Sequence, residues 1–157
     1  MRLLSWCCAL SLLLVACGGD EAVGCIELRE PEDQASGLHV LSEGAVEYQT
    51  DPPTSGPHIA GPTPEGALDV PVLPEIQVRL LESGGAMVQY DESVTADELA
   101  ALAAIASPTI VVAPAAGDLP DRIVATAWTW KLSCGVVDAD RVVTFAAERG
   151  VDAPGLD

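Results

Sequence analysis

Short stretches in which hydrophobic and polar residues alternate mark the predicted strands of this chain. The first extended segment covers residues 38–48, with a break at 42–44. Residues 76–81 and 86–90 flank Ser83-Gly84-Gly85. Because adjacent glycines take the positive φ angles that tight turns require, this pattern predicts a β-hairpin.

Two further strands are predicted in the second half of the chain. Residues 109–113 form an apolar run that follows Pro108. A longer strand is predicted over 123–132, where alternation places one set of side chains on a single face. That set is Thr126, Trp128, Trp130, Leu132 and Cys134. We interpret the two tryptophans as core residues; the alternative is a surface that stacks a sugar or an aromatic ligand.

Two helices have recognisable ends. Thr95 forms a capping box with Glu98, and a helix rich in alanine and leucine follows over 96–106. The last helix runs from a cap at Asp138 to Arg149. Strands and helices therefore mix without strict alternation, which predicts a single small α+β domain with a mostly antiparallel sheet and about two helices.

Residues 51–74 contain seven prolines. Proline lacks a backbone N–H and fits neither a helix interior nor a central strand. This stretch is therefore predicted to be a long, stiff and irregular loop. Loops of this length inside a compact domain are usually either functional or disordered.

The first residues match a bacterial lipoprotein export signal. Met1-Arg2 is a short positive start, residues 3–15 are almost wholly apolar, and Leu14-Val15-Ala16-Cys17 matches a lipobox. We expect a signal peptide over 1–16, a tether over 17–24 that begins with lipidated Cys17, and one domain over 25–157. The alternatives are an ordinary secretory signal and an uncleaved transmembrane helix, although a spanning helix needs roughly 20 apolar residues.

The residue after the lipobox and the net charge limit the kinds of partner that the protein is expected to bind. Gly18 after the lipobox favours the outer membrane of a Gram-negative cell, so the membrane is the expected partner, through the lipid anchor. The 24 acidic and 7 basic residues give a net charge of −17, and loss of Arg2 with the signal makes it more negative. Nucleic acid is excluded as a partner, because its binding depends on Lys and Arg neutralising phosphates. Another envelope protein is the remaining expectation.

The chain has five cysteines, and export would separate their fates. Cys7 and Cys8 would leave with the signal, and Cys17 would be lipidated. Cys25 and Cys134 then remain as a pair in an oxidising compartment, which predicts a disulfide between them. The alternative is a pair of buried, reduced thiols.

Several separated motifs follow one another in a characteristic order. They are Tyr48, the loop Pro52-Pro53-Thr54-Ser55-Gly56-Pro57-His58, the predicted hairpin over 78–84, and Thr126-Ala127-Trp128. Together they resemble the exported bacterial family known as domain of unknown function 3105. The resemblance covers about residues 38–149, which is most of the chain.

The resemblance implies histidines at His39 and His58 and two more in a hairpin of the form Val-His-x-Leu-Glu-His-Gly. In this chain Arg79 and Ser83 stand at those two positions. A guanidinium stays protonated and is no metal ligand, so half of the implied ligands are replaced. His39, His58 and Glu82 remain as a candidate set for a metal with open coordination positions. The alternative is structural, with an ion pair between Arg79 and Glu82.

Conventional catalytic motifs are absent from the sequence, including a nucleophile elbow, a His-Glu-x-x-His motif and a glycine-rich phosphate loop. The sequence therefore favours a non-catalytic binding or accessory module of the cell envelope that needs no cofactor. The alternative is a degenerate metal-binding or metal-dependent module that takes a transition metal.

Overall fold

The computed structural model describes residues 24–44 and 46–156. The predicted signal peptide and residues 17–23 of the predicted tether, including Cys17, lie outside these residues. Within the described part of the chain, no helix is both long enough and apolar enough to cross a membrane.

Three α-helices and seven strands make up the regular structure of the described residues. In chain order they are β1 (Cys25–Arg29), β2 (His39–Val40), β3 (His58–Ile59), α1 (Pro74–Glu82), β4 (Ala86–Tyr90), α2 (Ala96–Ala104), β5 (Ile110–Pro114), β6 (Ile123–Ala127), β7 (Trp130–Cys134) and α3 (Ala139–Arg149). Two 3₁₀ turns follow, at Gly150–Asp152 and Pro154–Leu156.

The main sheet has five strands in the order β1-β7-β6-β4-β5, and β2 and β3 form a separate parallel pair. In the main sheet only β4 and β5 run parallel, joined through α2, while the other neighbours are antiparallel. The predicted α+β domain with a mostly antiparallel sheet is therefore confirmed. It has one helix more than the two that the sequence indicated.

Both faces of the sheet are covered, because adjacent strand residues point to opposite sides. On one face Val88 packs with Leu102 of α2 and Phe145 of α3. On the other face Met87 packs with Leu81 of α1. Helix α1 thus lies alone with the proline-rich loop on one side of the sheet, and this side carries the candidate site.

The predicted β-hairpin before residue 90 is wrong, because its first arm is helix α1. Pro74 occupies the first helical position, where its fixed φ suits a helix. The glycine pair ends the helix: Gly84, at φ 85°, donates its N–H to Leu81 O and Gly85 donates to Leu80 O, each at 3.0 Å. The second arm is a strand as predicted, but it pairs with β5 and β6.

The predicted long strand over 123–132 is two strands joined by the two-residue turn Trp128-Thr129. The turn contains no glycine or asparagine. Instead, Thr129 takes a positive φ of 60°. Its N–H donates to Thr54 O at 2.9 Å, so a distant loop holds the turn in place. As a result Trp128 lies in the core beneath α1, whereas Leu132 and Cys134 pack on the opposite face.

The structure confirms the predicted starts of two helices and one of the predicted strands. Helix α2 begins with the complete Thr95–Glu98 capping box, and the Asp138 side chain accepts the Arg141 N–H at the start of α3. The apolar run near residue 110 is strand β5. The first extended segment is a strand only at His39–Val40, because the chain turns away immediately afterwards.

The predicted disulfide is confirmed. Cys25 and Cys134 face each other in the register of β1 and β7 and are bonded. Cys134 is wholly buried in the core, so the bond fastens the edge strand β1 to the centre of the domain. Strand β1 is also the first described element after the predicted tether.

Candidate metal centre

The parallel pair β2–β3 brings two histidines together. His39 and His58 are direct partners in its register, and residues opposite each other in a strand pair point to the same side. Their ring centroids lie 4.9 Å apart with the planes at 73°. His39 is exposed and His58 is wholly buried, so the pair reaches from the surface into the interior.

The loop before β3 is built to hold His58. Its residues Pro52 to Gly56 are buried. The Tyr48 hydroxyl donates to Pro57 O at 2.6 Å, and the Asp33 N–H donates to Ser55 Oγ at 2.9 Å. Gly56 has a φ of 131°, and a Cβ there would lie 3.0 Å from the Tyr48 ring. The segment Thr-Ser-Gly-Pro therefore forms a loop that fixes the position of the histidine that follows it.

Tyr48 keeps its proton in this environment. Burial raises the pKa of Tyr48 far above its usual range, and the carboxylates of Glu75 and Asp33 raise it further. The phenol therefore remains a hydrogen-bond donor to the loop throughout the physiological pH range.

Helix α1 supplies the third residue. Glu82 lies in its last turn, and its Oε2 is 2.9 Å from Nε2 of His58. Each of Glu82, His58 and His39 offers one ligand atom, and these atoms all lie within 4.8 Å of one another. The structure thus brings together the three residues that the sequence singled out as a metal ligand set.

The hydrogen bonding of His58 shows what it offers to this cluster. Its Nδ1 lies 3.2 Å from the carbonyl oxygen of Gly56, and because a carbonyl only accepts, Nδ1 carries the proton. Nε2 is buried and, despite its nearness to Glu82, has no hydrogen-bond partner among the described residues. A metal-ligating histidine shows the same arrangement, with the second nitrogen bonded to a backbone carbonyl.

The spacing of His58 and Glu82 fits one ion, and because the three ligand atoms spread over 4.8 Å, the exposed His39 ring would move closer to bind the same ion. Two ligand atoms that each lie about 2.1 Å from an ion are roughly 3 Å apart at the right angle of an octahedral site and about 3.4 Å apart at a tetrahedral angle. Nε2 of His58 and Oε2 of Glu82 are separated by 2.9 Å. Two acceptors held this close are stabilised by a shared proton or by a neighbouring cation, and the Arg79 guanidinium already supplies one such cation to Glu82.

The structural alternative is present in the same place. Arg79 Nη1 lies 2.7 Å from Oε2 of Glu82, and Arg79 Nε donates to Gly61 O at 3.3 Å. The guanidinium therefore shares the carboxylate oxygen that lies closest to His58. An ion bound at this centre would compete with Arg79 for Glu82.

Ser83 lies beside these residues on α1. It is the C-terminal cap of the helix, and its hydroxyl donates to Arg79 O at 3.0 Å. Positions 79, 82 and 83 share one helix face, because residues three and four apart are neighbours on a helix. The two positions at which the family resemblance implies histidines therefore flank Glu82.

Sequence reasoning missed one buried carboxylate on the same helix. Glu75 is only 2 % exposed, and its Oε1 accepts the Gly44 N–H at 2.6 Å. An acidic residue directly after Pro74 is typical of the first turn of a helix. The sequence would therefore have indicated the position of Glu75 if the segment had been interpreted as a helix.

The two tryptophans have separate structural roles. Trp128 is buried in the core with α1, as expected for a core residue. Trp130 contacts two guanidinium groups, with Arg149 Cζ 4.2 Å and Arg29 Cζ 5.6 Å from its ring centroid. Its indole N–H donates to Asp152. The rings therefore do not form the shared stacking face that the single-strand prediction implied.

Comparisons with known proteins give a family without an assigned activity. The family model described as "Protein of unknown function (DUF3105)" matches residues 39–155, a stretch that includes His39, His58 and Glu82. No curated protein and no solved structure matches the chain. Because the family model covers most of the sequence, this protein belongs to the DUF3105 family.

Proposed function

We propose that this protein is a lipid-anchored envelope protein whose domain binds a transition metal ion through His39, His58 and Glu82. The observation that supports the proposal is the convergence of three ligand atoms, in which the buried Nε2 of His58 lies 2.9 Å from Oε2 of Glu82 and His39 lies beside them. A cation bound between Nε2 of His58 and Oε2 of Glu82 would accept a lone pair from each and so offset the cost of burying them.

The residue types suit such an ion. Two imidazoles and one carboxylate form a ligand set used by zinc and by non-haem iron, with coordination positions left open. His39 is exposed, which gives an ion a path from solvent to the buried nitrogen. The net charge of −17 raises the local concentration of cations around the protein.

Isothermal titration of the full-length protein in detergent with Zn²⁺ tests the metal proposal. We expect one bound ion per chain, and the His39→Ala variant to weaken its binding by roughly 10- to 100-fold. His39 is exposed, so this variant leaves the core intact. Glu82→Gln is expected to weaken binding as well, because a neutral amide is a poorer ligand than a carboxylate.

Glu65→Gln is the matched control. Glu65 is exposed and lies outside the cluster, so its variant removes one negative charge without removing a ligand. Equal weakening in Glu65→Gln and Glu82→Gln would show that zinc binds the acidic surface in general. No saturable binding by the unmodified protein would also contradict the proposal.

The anchor is tested separately. Cys17→Ser removes the acceptor sulfur, and we expect the protein to move from the membrane fraction to the soluble fraction of the envelope. Cys8→Ser is the control, because Cys8 lies in the predicted signal peptide and its loss leaves the mature protein unchanged. Unaltered membrane partitioning of Cys17→Ser would contradict lipid anchoring.

A further inference from the structure

Among the described residues, strand β1 has a strand neighbour on one side only. The opposite edge of the sheet is covered, because the Leu68 N–H donates to Val112 O at 2.8 Å and the Val112 N–H donates to Gly66 O at 3.0 Å. No described segment covers β1 in this way. An uncovered edge strand presents backbone groups to which a further strand can pair.

The hydrogen bonds between β1 and β7 determine which backbone groups of β1 are free. The Gly135 N–H donates to Gly24 O at 3.1 Å, and the Glu30 N–H donates to Thr129 O at 2.8 Å, at the two ends of the β1–β7 register. Because hydrogen-bonded pairs alternate along antiparallel strands, the even-numbered residues of β1 bond to β7. The odd-numbered residues direct their N–H and C=O groups away from the sheet, and no described residue bonds to these groups. They are Cys25, Glu27 and Arg29.

The side chains on the two faces of β1 differ in chemistry. Cys25 packs on the face that carries α3, so Ile26 and Leu28 point to the other face. Their exposed fractions are 65 % and 56 %. On the α3 face lie Glu27 and Arg29, and the exposed Arg29 forms no ion pair with a described residue. The edge therefore offers an apolar stripe on one face and an unpaired guanidinium on the other.

The charge around β1 also differs from that of the whole protein. The net charge of −17 opposes contact between two copies over most of the surface. At this edge Arg29 and Arg149 both contact Trp130, and Arg141 pairs with Glu27 beside them. Three of the seven basic residues of the chain thus lie here. Repulsion between two copies is therefore reduced at this edge.

We propose that β1 pairs with β1 of a second copy of this chain, antiparallel and centred on Leu28, so that the two sheets join into one. Leu28 then lies opposite the partner's Leu28, and Glu27 lies opposite the partner's Arg29. The contact is symmetric, so each copy contributes the same surface and the pairing closes at two chains.

Hydrogen bonding and charge together select this register. The odd-numbered residues must face one another, and three registers pair more than one of them. A register centred on Glu27 places two glutamates directly opposite each other, which is destabilising. A register centred on Ile26 places Glu27 opposite the partner's Cys25 and forms no charge pair. The register centred on Leu28 forms two Glu27–Arg29 pairs and joins the apolar stripes of both copies.

Oxidative cross-linking of added cysteines in the full-length protein tests the register. In Leu28→Cys the two Cα atoms are expected to lie about 4.5 Å apart, which is within disulfide range, so mild oxidation should give a covalent dimer. In Ile26→Cys the equivalent residues are roughly 13 Å apart along the paired strands, so no dimer is expected. Val151→Cys is the control for random collision, because Val151 is exposed and lies outside β1.

Sedimentation equilibrium of the full-length protein in detergent measures the same contact without a cross-link. We expect the unmodified protein to dimerise, and Leu28→Asp to weaken dimerisation roughly 100-fold, because it removes the apolar pair and places like charges opposite each other. Leu28 is exposed, so this variant leaves the core intact. Val151→Asp is the matched control, since it makes the same kind of change at another exposed apolar position.

Three results would overturn the pairing. They are a monomer at every concentration, cross-linking of Ile26→Cys as strong as that of Leu28→Cys, and equal weakening by Leu28→Asp and Val151→Asp. Protection of Leu28→Cys from a soluble thiol reagent only after lipid vesicles are added would assign this edge to a membrane surface and overturn it as well.

Discussion

Replacing both Cys25 and Cys134 with serine is expected to lower the free energy of unfolding by about 4 kcal/mol. The bond joins residues 109 positions apart, so it removes a large share of the conformational freedom of the unfolded chain. Urea denaturation of the double variant and the unmodified protein measures the difference. A free-energy contribution of this size from one bond is a large fraction of the stability of a small domain.

The loss is expected to be concentrated at strand β1. This strand lies at the edge of the sheet and exposes Ile26 and Leu28. Besides its backbone pairing with β7, the strand is held by Glu27, which pairs with Arg141 and Arg149 of α3. Burial raises the pKa of Glu27, but the hydrogen bonds from Arg149 and Arg141 outweigh it and lower the pKa overall.

Hydrogen exchange gives the matched readout. In the double serine variant the amides of β1 are expected to lose protection, whereas those of β4 in the sheet interior keep theirs. Reduction of the unmodified protein with a thiol reagent should reproduce the same pattern. A change in unfolding free energy below about 1 kcal/mol would contradict the assigned role of the bond.

Converting Arg79 and Ser83 together to histidine is expected to raise the affinity for Zn²⁺ by roughly 10- to 100-fold. The change removes the guanidinium that shares Oε2 of Glu82 and adds two imidazoles on the same helix face. It also recreates the histidine pattern that the family resemblance implies for this segment. Competition titration with a zinc-binding dye measures the affinity.

Two controls separate the centre from its parts. Arg79→Gln alone removes the competing cation, and a smaller gain is expected from it. Asp140→His with Thr144→His places a pair with the same spacing on exposed positions of α3, which reports what a helical histidine pair binds by itself. If the two pairs bind zinc equally well, His39, His58 and Glu82 contribute nothing, and the proposed centre is wrong.

The sequence predicted the elements whose signals are local. The capping box of Thr95 and Glu98 and the cap at Asp138 fixed the starts of two helices, because side chains close in sequence form these contacts. Residues 76–81 were predicted to be a strand because their apolar positions fit both a strand and a helix. Pro74 and the αL glycine Gly84 resolve that ambiguity only when they are interpreted as helix ends.

The turn at Trp128-Thr129 could not be predicted in the same way. Its positive φ falls on a threonine, and the contact that supports it comes from Thr54, far away in the chain. The face assignments along the predicted strand failed for this reason. Long-range contacts therefore determine the position of this turn, for which local residue preferences gave no signal.

The candidate site shows the same division. The resemblance named His39, His58 and Glu82, but their approach depends on the β2–β3 register and on α1 being a helix. With residues 76–81 as a strand, Glu82 would occupy a turn. The orientation of the His58 ring depends on the contact of Nδ1 with Gly56 O and of Nε2 with Glu82, and only the structure shows these contacts.

The most direct test of the metal centre is an anomalous-scattering map of crystals of the protein grown with Zn²⁺. We expect a peak at coordination distance, about 2.0–2.2 Å, from Nε2 of His58, from a ring nitrogen of His39 and from the Glu82 carboxylate. In His39→Ala crystals grown at the same Zn²⁺ concentration we expect this peak to be weaker and to have no ligand at position 39. Zinc peaks confined to carboxylates elsewhere on the surface, with none beside His58, would contradict the proposed centre.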